Sequence, residues 1–495
     1  MVPAPRSSSD RPLTVLNVVQ GHAAERPGGA ETYALELHEA MRAVGTLNPV
    51  LLAATGPSGT GRPSPHSGTL VEPVGDDPSQ YFFHTDAADY DWFYSTARNK
   101  DIYTRHLADF LTAYSPDVVH VQHSLFFGFD LLRQIRRTLP NAALVYTLHE
   151  YLPMCHRDGQ LLRTNGRPCS GPTPRGCATC FPQHTPQEFF LRERFVKSAL
   201  DLVDAFVCPS RFLLERYAEW GIPREKLIFE ENGRPPVGRV PSPVDRPRNR
   251  FGYFGQFTSY KGADVLMQAV RELHGQPAGA GVSGAVAGAA SSEFAAGAGS
   301  GSAGAAPTRS ASPASVTLHG ANLEHAPAEF QDTFRGLLAG TAGIVKLHGR
   351  YQPKELPRLL ADVDWVVVPS LWYENAPLVI QEAFQHGRPV ICSDIGGMAE
   401  KVTDGVDGLH FRAGDSAHLA EVMRRAVESP GLWERLAAGI RPGHDLDAHV
   451  TRLTALYRRL VAQHAERGSA PAAPRSAGAG IDPHTITIEE VGSVA

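Results

Sequence analysis

Short apolar, β-branched runs alternate along the chain with stretches whose apolar residues recur every three or four positions. "LTVLNVVQ" precedes "GGAETYALELHEAMRAVG", and "DVVHVQ", "ALVYTLHE", "AFVCPS" and "KLIFEEN" continue the series. Runs without polar alternation suit strands buried on both faces, with the helical-period segments as their cover. The pattern therefore predicts βαβ units around a parallel sheet. After "RPPVGRVPSPVDRPRN" at 234–249, whose prolines forbid regular structure, "RFGYFGQF", "GIVKLHGRY", "DWVVVPS", "PVICSD" and "GLHF" repeat the same grammar. An α/β chain of two doubly wound, Rossmann-like domains is the simplest reading, at 11–234 and 250–444 with a linker at 235–249.

Within the second half, 275–315 is dominated by Ala, Gly and Ser without apolar periodicity. It buries too little apolar area to offset its ordering entropy and reads as a flexible insertion. The ends at 1–10 and 466–495 have the same character. Before the tail, Val450, Leu453, Leu456, Tyr457, Leu460 and Val461 share one helical face. A helix over 445–465 is thus expected to pack on something, and it could cross back to the first domain.

Composition narrows the function. With 47 basic and 52 acidic residues the net charge is −5, so no positive field gathers nucleic acid. The N-terminus places Pro and Ser where an export signal would carry an apolar core. No run approaches the roughly 18 uninterrupted apolar residues that a membrane helix needs. The reading is cytoplasmic, with a peripheral contact at the inner membrane face left open.

The densest chemistry lies in "SLWYENAPLVIQEAFQHG", where Glu374 and Glu382 flank a helix start that follows the strand-like "DWVVVPS". Pro377 suits the first helical turn and Gly387 the end. Ligands of open α/β sheets sit at the carboxyl ends of strands, and free N–H groups at Leu378 and Val379 would face an anion there. The two carboxylates can then accept hydrogen bonds from different hydroxyl pairs of one elongated ligand. Two solvated helix acids would produce the same spacing.

"ENAPLVIQE" resembles the Glu-x7-Glu signature of the retaining, nucleotide-sugar-dependent glycosyltransferases of family 4. "GGAE", "TLHE", "NG", "GQFTSYKGAD", "PS" and "GGMAE" stand in that family's order, over about 13–463. The resemblance implies the GT-B fold, two domains facing across a cleft, and no cofactor required for catalysis. It assigns Glu382 to the nucleoside ribose, Glu374 and Asn375 to the donor sugar side, and the Leu378 and Val379 N–H groups to the diphosphate. Lys261 matches a diphosphate lysine, but the usual arginine position is Gln256, which adds no charge; Arg350 in "HGRY" is an alternative cation. Gly28 and Gly29, as a pair allowing close backbone approach and positive φ, resemble the first loop of the cleft, with Glu31 toward the acceptor. His149 matches a histidine that orients the donor sugar, and it is not assigned as a base.

Cys155, Cys169, Cys177 and Cys180 fall within 26 residues after His149. The Cys177 and Cys180 spacing suits a metal, and four thiolates around a structural zinc would organise a loop with little apolar content. His156 and His184 are substitute ligands, and disulfides or free thiols are the other readings. Cys208 and Cys392 sit in strand-like runs as small buried hydrophobes.

The expected function is a retaining glycosyltransferase using a nucleotide sugar donor and a glycan or lipid-linked acceptor. The rivals are a sugar-nucleotide epimerase and a non-catalytic, nucleotide-sugar-binding partner subunit.

Overall fold

The structure, a computed structural model, describes residues 11–26, 28–55, 70–86, 88–242, 246–275, 314–441 and 443–469. In the first domain the strands are β1 (Leu13–Val19), β2 (Leu47–Ala54), β3 (Val71–Val74), β4 (Asp77–Phe83), β5 (Tyr90–Asp91), β6 (Thr96–Ala97), β7 (Val118–Val121), β8 (Ala143–Thr147), β9 (Ala205–Cys208) and β10 (Leu227–Phe229). Eight of them form one sheet in the order β10-β9-β8-β7-β1-β2-β4-β3. Every pairing is parallel except β3 with β4. The central strands are buried throughout, as their unbroken apolar runs require.

The second domain contains β11 (Arg250–Phe254), β12 (Ser315–His319), β13 (Val345–Gly349), β14 (Trp365–Val368), β15 (Val390–Ser393) and β16 (Gly408–Phe411). Their order is β13-β12-β11-β14-β15-β16, all parallel. This is the doubly wound order, in which the chain steps outward from β11 and then returns to its other side as β14. The crevice between the carboxyl ends of β11 and β14 is the topological switch point, and the first sheet has its counterpart between β1 and β7. Both domains thus aim loops from a switch point, the ordinary place for a ligand in such sheets.

The C-terminal helix Leu446–Ser469 runs past the expected end at 465. Leu446, Val450, Leu453, Leu456, Tyr457 and Leu460 pack with Leu13, Val15, Tyr33 and Val118 of the first domain. Polar pins reinforce that seat: Tyr457 Oη lies 2.6 Å from His120 Nδ1, and Tyr33 Oη 2.7 Å from His449 Nε2. Among the described residues no helix is long and apolar enough to cross a membrane.

The segment expected as an insertion, 275–315, needs trimming. Ser315 opens β12 and Ala314 is buried in the second core, so "SVTLH" belongs to the sheet. Its low-complexity neighbours and its polar Thr317 and His319 disguise that strand. Residues 276–313 lie outside the described residues, as do the expected disordered 1–10 and most of 466–495. The chain on either side of 276–313 meets, His274 Nε2 lying 3.2 Å from the Ala314 carbonyl. Replacing 277–312 by a short Gly/Ser linker is therefore expected to keep soluble yield and activity within a few-fold, because closure costs little entropy. Expression and rate of the shortened chain check this; collapse of either would place an essential element in the deleted stretch.

Candidate active site

The loop after β11 and the loop after β14 lie backbone against backbone. Gly262 has φ +72°, the left-handed region that favours glycine, and a Cβ there would fall on the Pro369 carbonyl. Leu371 N donates to the Tyr260 carbonyl at 2.8 Å. This contact brings together Lys261 and Glu374, 113 residues apart, with Nζ 2.6 Å from Glu374 Oε1. Ser370 Oγ donates to the same oxygen at 2.7 Å. Trp372 lies under the ammonium, 5.1 Å from Nζ to the ring centroid. Glu374 is only 6% exposed, so its charge depends on these partners.

Three residues on, the helix Leu378–Gln385 begins with Pro377 as its cap rather than inside its first turn, and no side chain caps it. Leu378 and Val379 are the first two helical residues, whose N–H groups no helical turn can satisfy. The helix stops at Gly387, φ +72°. On its next turn Glu382 is partly buried, its side chain 18% exposed, and the lost hydration raises its pKa, while Arg234 and His386 oppose the rise. Arg234 Nη2 lies 2.9 Å from Glu382 Oε1, and its Nη1 3.1 Å from Glu36 Oε2 of the first domain. Tyr351 is close enough for the Glu382 charge to push its phenol further above its ordinary value, beyond the effect of burial.

Across the cleft, Gly29 faces Leu378, whose Cδ1 lies 4.0 Å from where a Cβ would stand. The pair does permit close approach, but not through positive φ: Gly28 is extended at φ −138° and ψ 174°, and Gly29 opens the helix Gly29–Val44. Glu31 accepts from Gln20 Nε2 at 2.8 Å and packs under Gly28. His149, after β8, has Nε2 3.3 Å from Gln122 Oε1 and its ring against Tyr33 at 5.3 Å. Burial, with His123 nearby, pushes its pKa down to about 3. The imidazole is therefore neutral near pH 7 and can exchange hydrogen bonds without supplying charge.

Asn375 departs from its expected place in the donor site. Its Oδ1 accepts from Ser210 Oγ at 2.6 Å and its Nδ2 donates to the Leu148 carbonyl at 3.0 Å, so its amide joins the domains. Glu400 of "GGMAE" does the same, its carboxylate accepting from Arg211 N and Phe212 N at 2.8 Å each, at the start of the helix Arg211–Trp220. Gln256 is exposed. Arg350 is exposed and turned to Asn322 Oδ1, 3.3 Å away, with Glu324 at 4.0 Å; none of its described contacts reaches Lys261 or Glu374.

Sequence reasoning missed Ser370, Tyr351, Ser210 and, above all, Arg234. The last was visible as an arginine directly after the quoted "NG", but only the assembled domains place it on Glu382.

The four loop cysteines line one cavity of ≈ 30 Å³ with His156, room for a water or two or a single ion. Cys177 and Cys180 lie on the helix Pro174–Cys180. No disulfide joins any of the four, and burial pushes the Cys155 thiol up to about 11. Among the described residues no three His, Cys, Asp or Glu side chains are gathered as a metal-ligand set. The four thiols expected around a zinc thus share one cavity without forming a ligand set. Cys208 and Cys392 are buried in strands.

Residues 27–233 match the family described as Glycosyltransferase Family 4, and residues 304–429 match Glycosyl transferases group 1. These matches and the fold support a family 4-type glycosyltransferase of GT-B fold. A D-inositol 3-phosphate glycosyltransferase of Nocardioides sp. (strain ATCC BAA-499 / JS614) is 35% identical over 127 residues, 25% of this chain and 28% of that protein. This GT-B chain therefore spans under a third of the length of that relative. Among solved structures, sucrose-phosphate synthase from Thermosynechococcus elongatus has a TM-score of 0.62 at 16% identity, covering 91% of this chain and 100% of that one. Anabaena HepE in complex with UDP and glucose has a TM-score of 0.57 at 16% identity, covering 90% and 99%. At such identities the likeness is one of fold.

Proposed function

We propose that the chain transfers a sugar from a nucleoside diphosphate donor to an acceptor hydroxyl with retention at the anomeric carbon. The observation that carries this reading is the Lys261 and Glu374 pair beside the uncapped helix at Leu378, all at one switch point. Glu374 would accept hydrogen bonds from the donor sugar, the Leu378 and Val379 N–H groups and Lys261 would hold the diphosphate, and Glu382 would take the ribose hydroxyls. Neutral His149 would orient the sugar from the other domain.

In the step, the bond from the anomeric carbon to the diphosphate breaks as the acceptor oxygen attacks on the same face. The departing phosphate takes the acceptor's proton, so no side chain need act as nucleophile. The protein's part is closure and stabilisation of the leaving charge. Lys261 is the cation the site supplies; exposed Gln256 adds none, and Arg350 points elsewhere. The UDP in the HepE structure belongs to that protein and supports only the ligand class.

The acceptor class, a glycan or lipid-linked saccharide reached from the cytoplasmic side, belongs to the same proposal. A panel of nucleotide sugars tests it: transfer, or slow donor hydrolysis, with the anomeric configuration of the product read by NMR. An inverted product removes retention. Epimerised donor without acceptor favours the epimerase, and nucleotide binding without any turnover favours the partner subunit.

A structural zinc in the cysteine loop also remains a proposal, supported by four thiols around one cavity. Protein purified without chelators is expected to contain about one equivalent of zinc, lost on Cys177→Ser with Cys180→Ser. Four titratable thiols and no metal in the native protein would reject it.

A further inference from the structure

Arg234 sits where three parts of the molecule meet. Its backbone is pinned to the start of the C-terminal helix, Arg234 N donating to the His444 carbonyl at 3.0 Å and Leu446 N to the Arg234 carbonyl at 3.2 Å. Its side chain is 11% exposed, and its guanidinium lies between Glu382 of the helix Leu378–Gln385 and Glu36 of the first domain. Nη2 donates to Glu382, whereas Nε, Nη1 and Glu36 Oε2 have no hydrogen-bond partner among the described residues, so the contact with Glu36 is one of charge at 3.1 Å. A carboxylate offers about four lone-pair positions, so Arg234 on Oε1 leaves Glu382 able to accept from a diol.

We infer that Arg234 is a positioning residue for the donor: it aims the Glu382 carboxylate at the ribose hydroxyls, while Glu36 competes for the same guanidinium and ties that grip to the seating of the first domain. The inference rests on the proposed reading of Glu382 as the ribose acceptor. Without Arg234, Glu382 is a partly buried acid near a second acid, and it takes a proton or turns away rather than gripping two hydroxyls. Lysine would restore charge but not the fork that reaches two carboxylates.

Glu36 makes the arrangement sensitive to pH. Burial and the charges of Glu382 and Glu39 raise its pKa to about 7, against the pull of Arg234. Glu382 itself faces Arg234, His386, Tyr351 and Glu36. The sign is that of a raised carboxyl. Below pH 7 Glu36 is neutral and Arg234 belongs to Glu382; above it, the Glu36 carboxylate draws Arg234 away and repels Glu382.

The test uses whichever of UDP, ADP and GDP binds the full chain most tightly, with its 2′,3′-dideoxy counterpart, by calorimetry. The ratio of the two affinities reads the ribose grip and cancels phosphate ionisation. The wild type is expected to prefer the ribonucleotide by about ten- to a hundred-fold, the worth of charge-assisted hydrogen bonds. In Arg234→Gln the ribonucleotide weakens about tenfold on the same scale and its dideoxy counterpart hardly moves. Arg234→Lys falls between. The wild-type ratio declines a few-fold from pH 6 to 8, and Glu36→Gln makes it flat. If Arg234→Gln fails to fold, the lysine variant and the Glu36→Gln pH profile decide. An unchanged ratio in the Arg234 variants, beside a collapsed ratio in Glu382→Ala, overturns the inference alone. Absence of ribose preference in the wild type, or its survival in Glu382→Ala, overturns the Glu382 reading.

Discussion

Lys261→Ala is expected to lower turnover about a hundred-fold, with a smaller change in KM for the donor. Two effects add. On the proposed reading, charge on the departing diphosphate grows toward the transition state, so a cation there acts more on kcat than on ground-state binding. Losing a hydrogen bond to a charged group typically costs about 1.5–3 kcal/mol, about ten- to a hundred-fold in rate. The second effect is visible only in the structure: Lys261 Nζ is the charge partner of Glu374, 2.6 Å away. Its removal leaves a buried carboxylate with Ser370 as its remaining described side-chain partner, and such an acid protonates or turns. Sugar positioning should then suffer along with phosphate stabilisation. Adding Glu374→Gln to Lys261→Ala should cost less than the separate losses combined, because the two share one interaction. Steady-state kinetics of the single and double variants check this, and a wild-type rate in Lys261→Ala would remove the lysine from the site.

The fold was legible because parallel strands buried on both faces cannot hide. "DWVVVPS" and "DVVHVQ" have no polar alternation to mistake for another architecture. Strand β12 escaped because it emerges from Ala, Gly and Ser repeats with only Val316 and Leu318 as apolar residues in its five positions. The two acids were legible from their helix and their spacing. Their partners were not. The sequence offers Lys261 as a candidate phosphate ligand, but not as the counter-ion of Glu374, since loop-to-loop contact depends on the β11 and β14 neighbourhood in the sheet. Asn375, Glu400 and Arg234 act between domains, and no local pattern encodes how one domain sits on another. The motif "GGMAE" can be read as family grammar, whereas its physical use appears only with Glu400 on Arg211 N and with glycine packed on the Glu374 loop.

That glycine carries the other large expected effect. Gly397 lies in the helix Gly396–Lys401 without positive φ, so its backbone conformation would accept alanine. By propensity alone Gly397→Ala should stabilise the chain by about 0.4–1 kcal/mol. Its surroundings forbid it. A Cβ there would fall on the Asn375 carbonyl and stand 2.7 Å from the Glu374 carbonyl oxygen, both backbone atoms that no rotamer change can move. Gly397 N also donates to that Glu374 carbonyl at 2.6 Å. The methyl group must push the Glu374 and Asn375 backbone away, shifting the carboxylate from Lys261 and the amide from Ser210. Misplacement of about 1 Å is enough to cost two orders of magnitude in rate. The expected result is a chain that still folds, melts lower by a few degrees and loses about a hundred-fold in transfer, with the nucleotide binding proposed for Glu382 largely kept. Thermal melts, nucleotide calorimetry and rates on one preparation separate these outcomes. A higher melting temperature with full activity would mean that the two backbones do not meet there, and that the glycine serves the motif for some reason other than contact with the Glu374 loop.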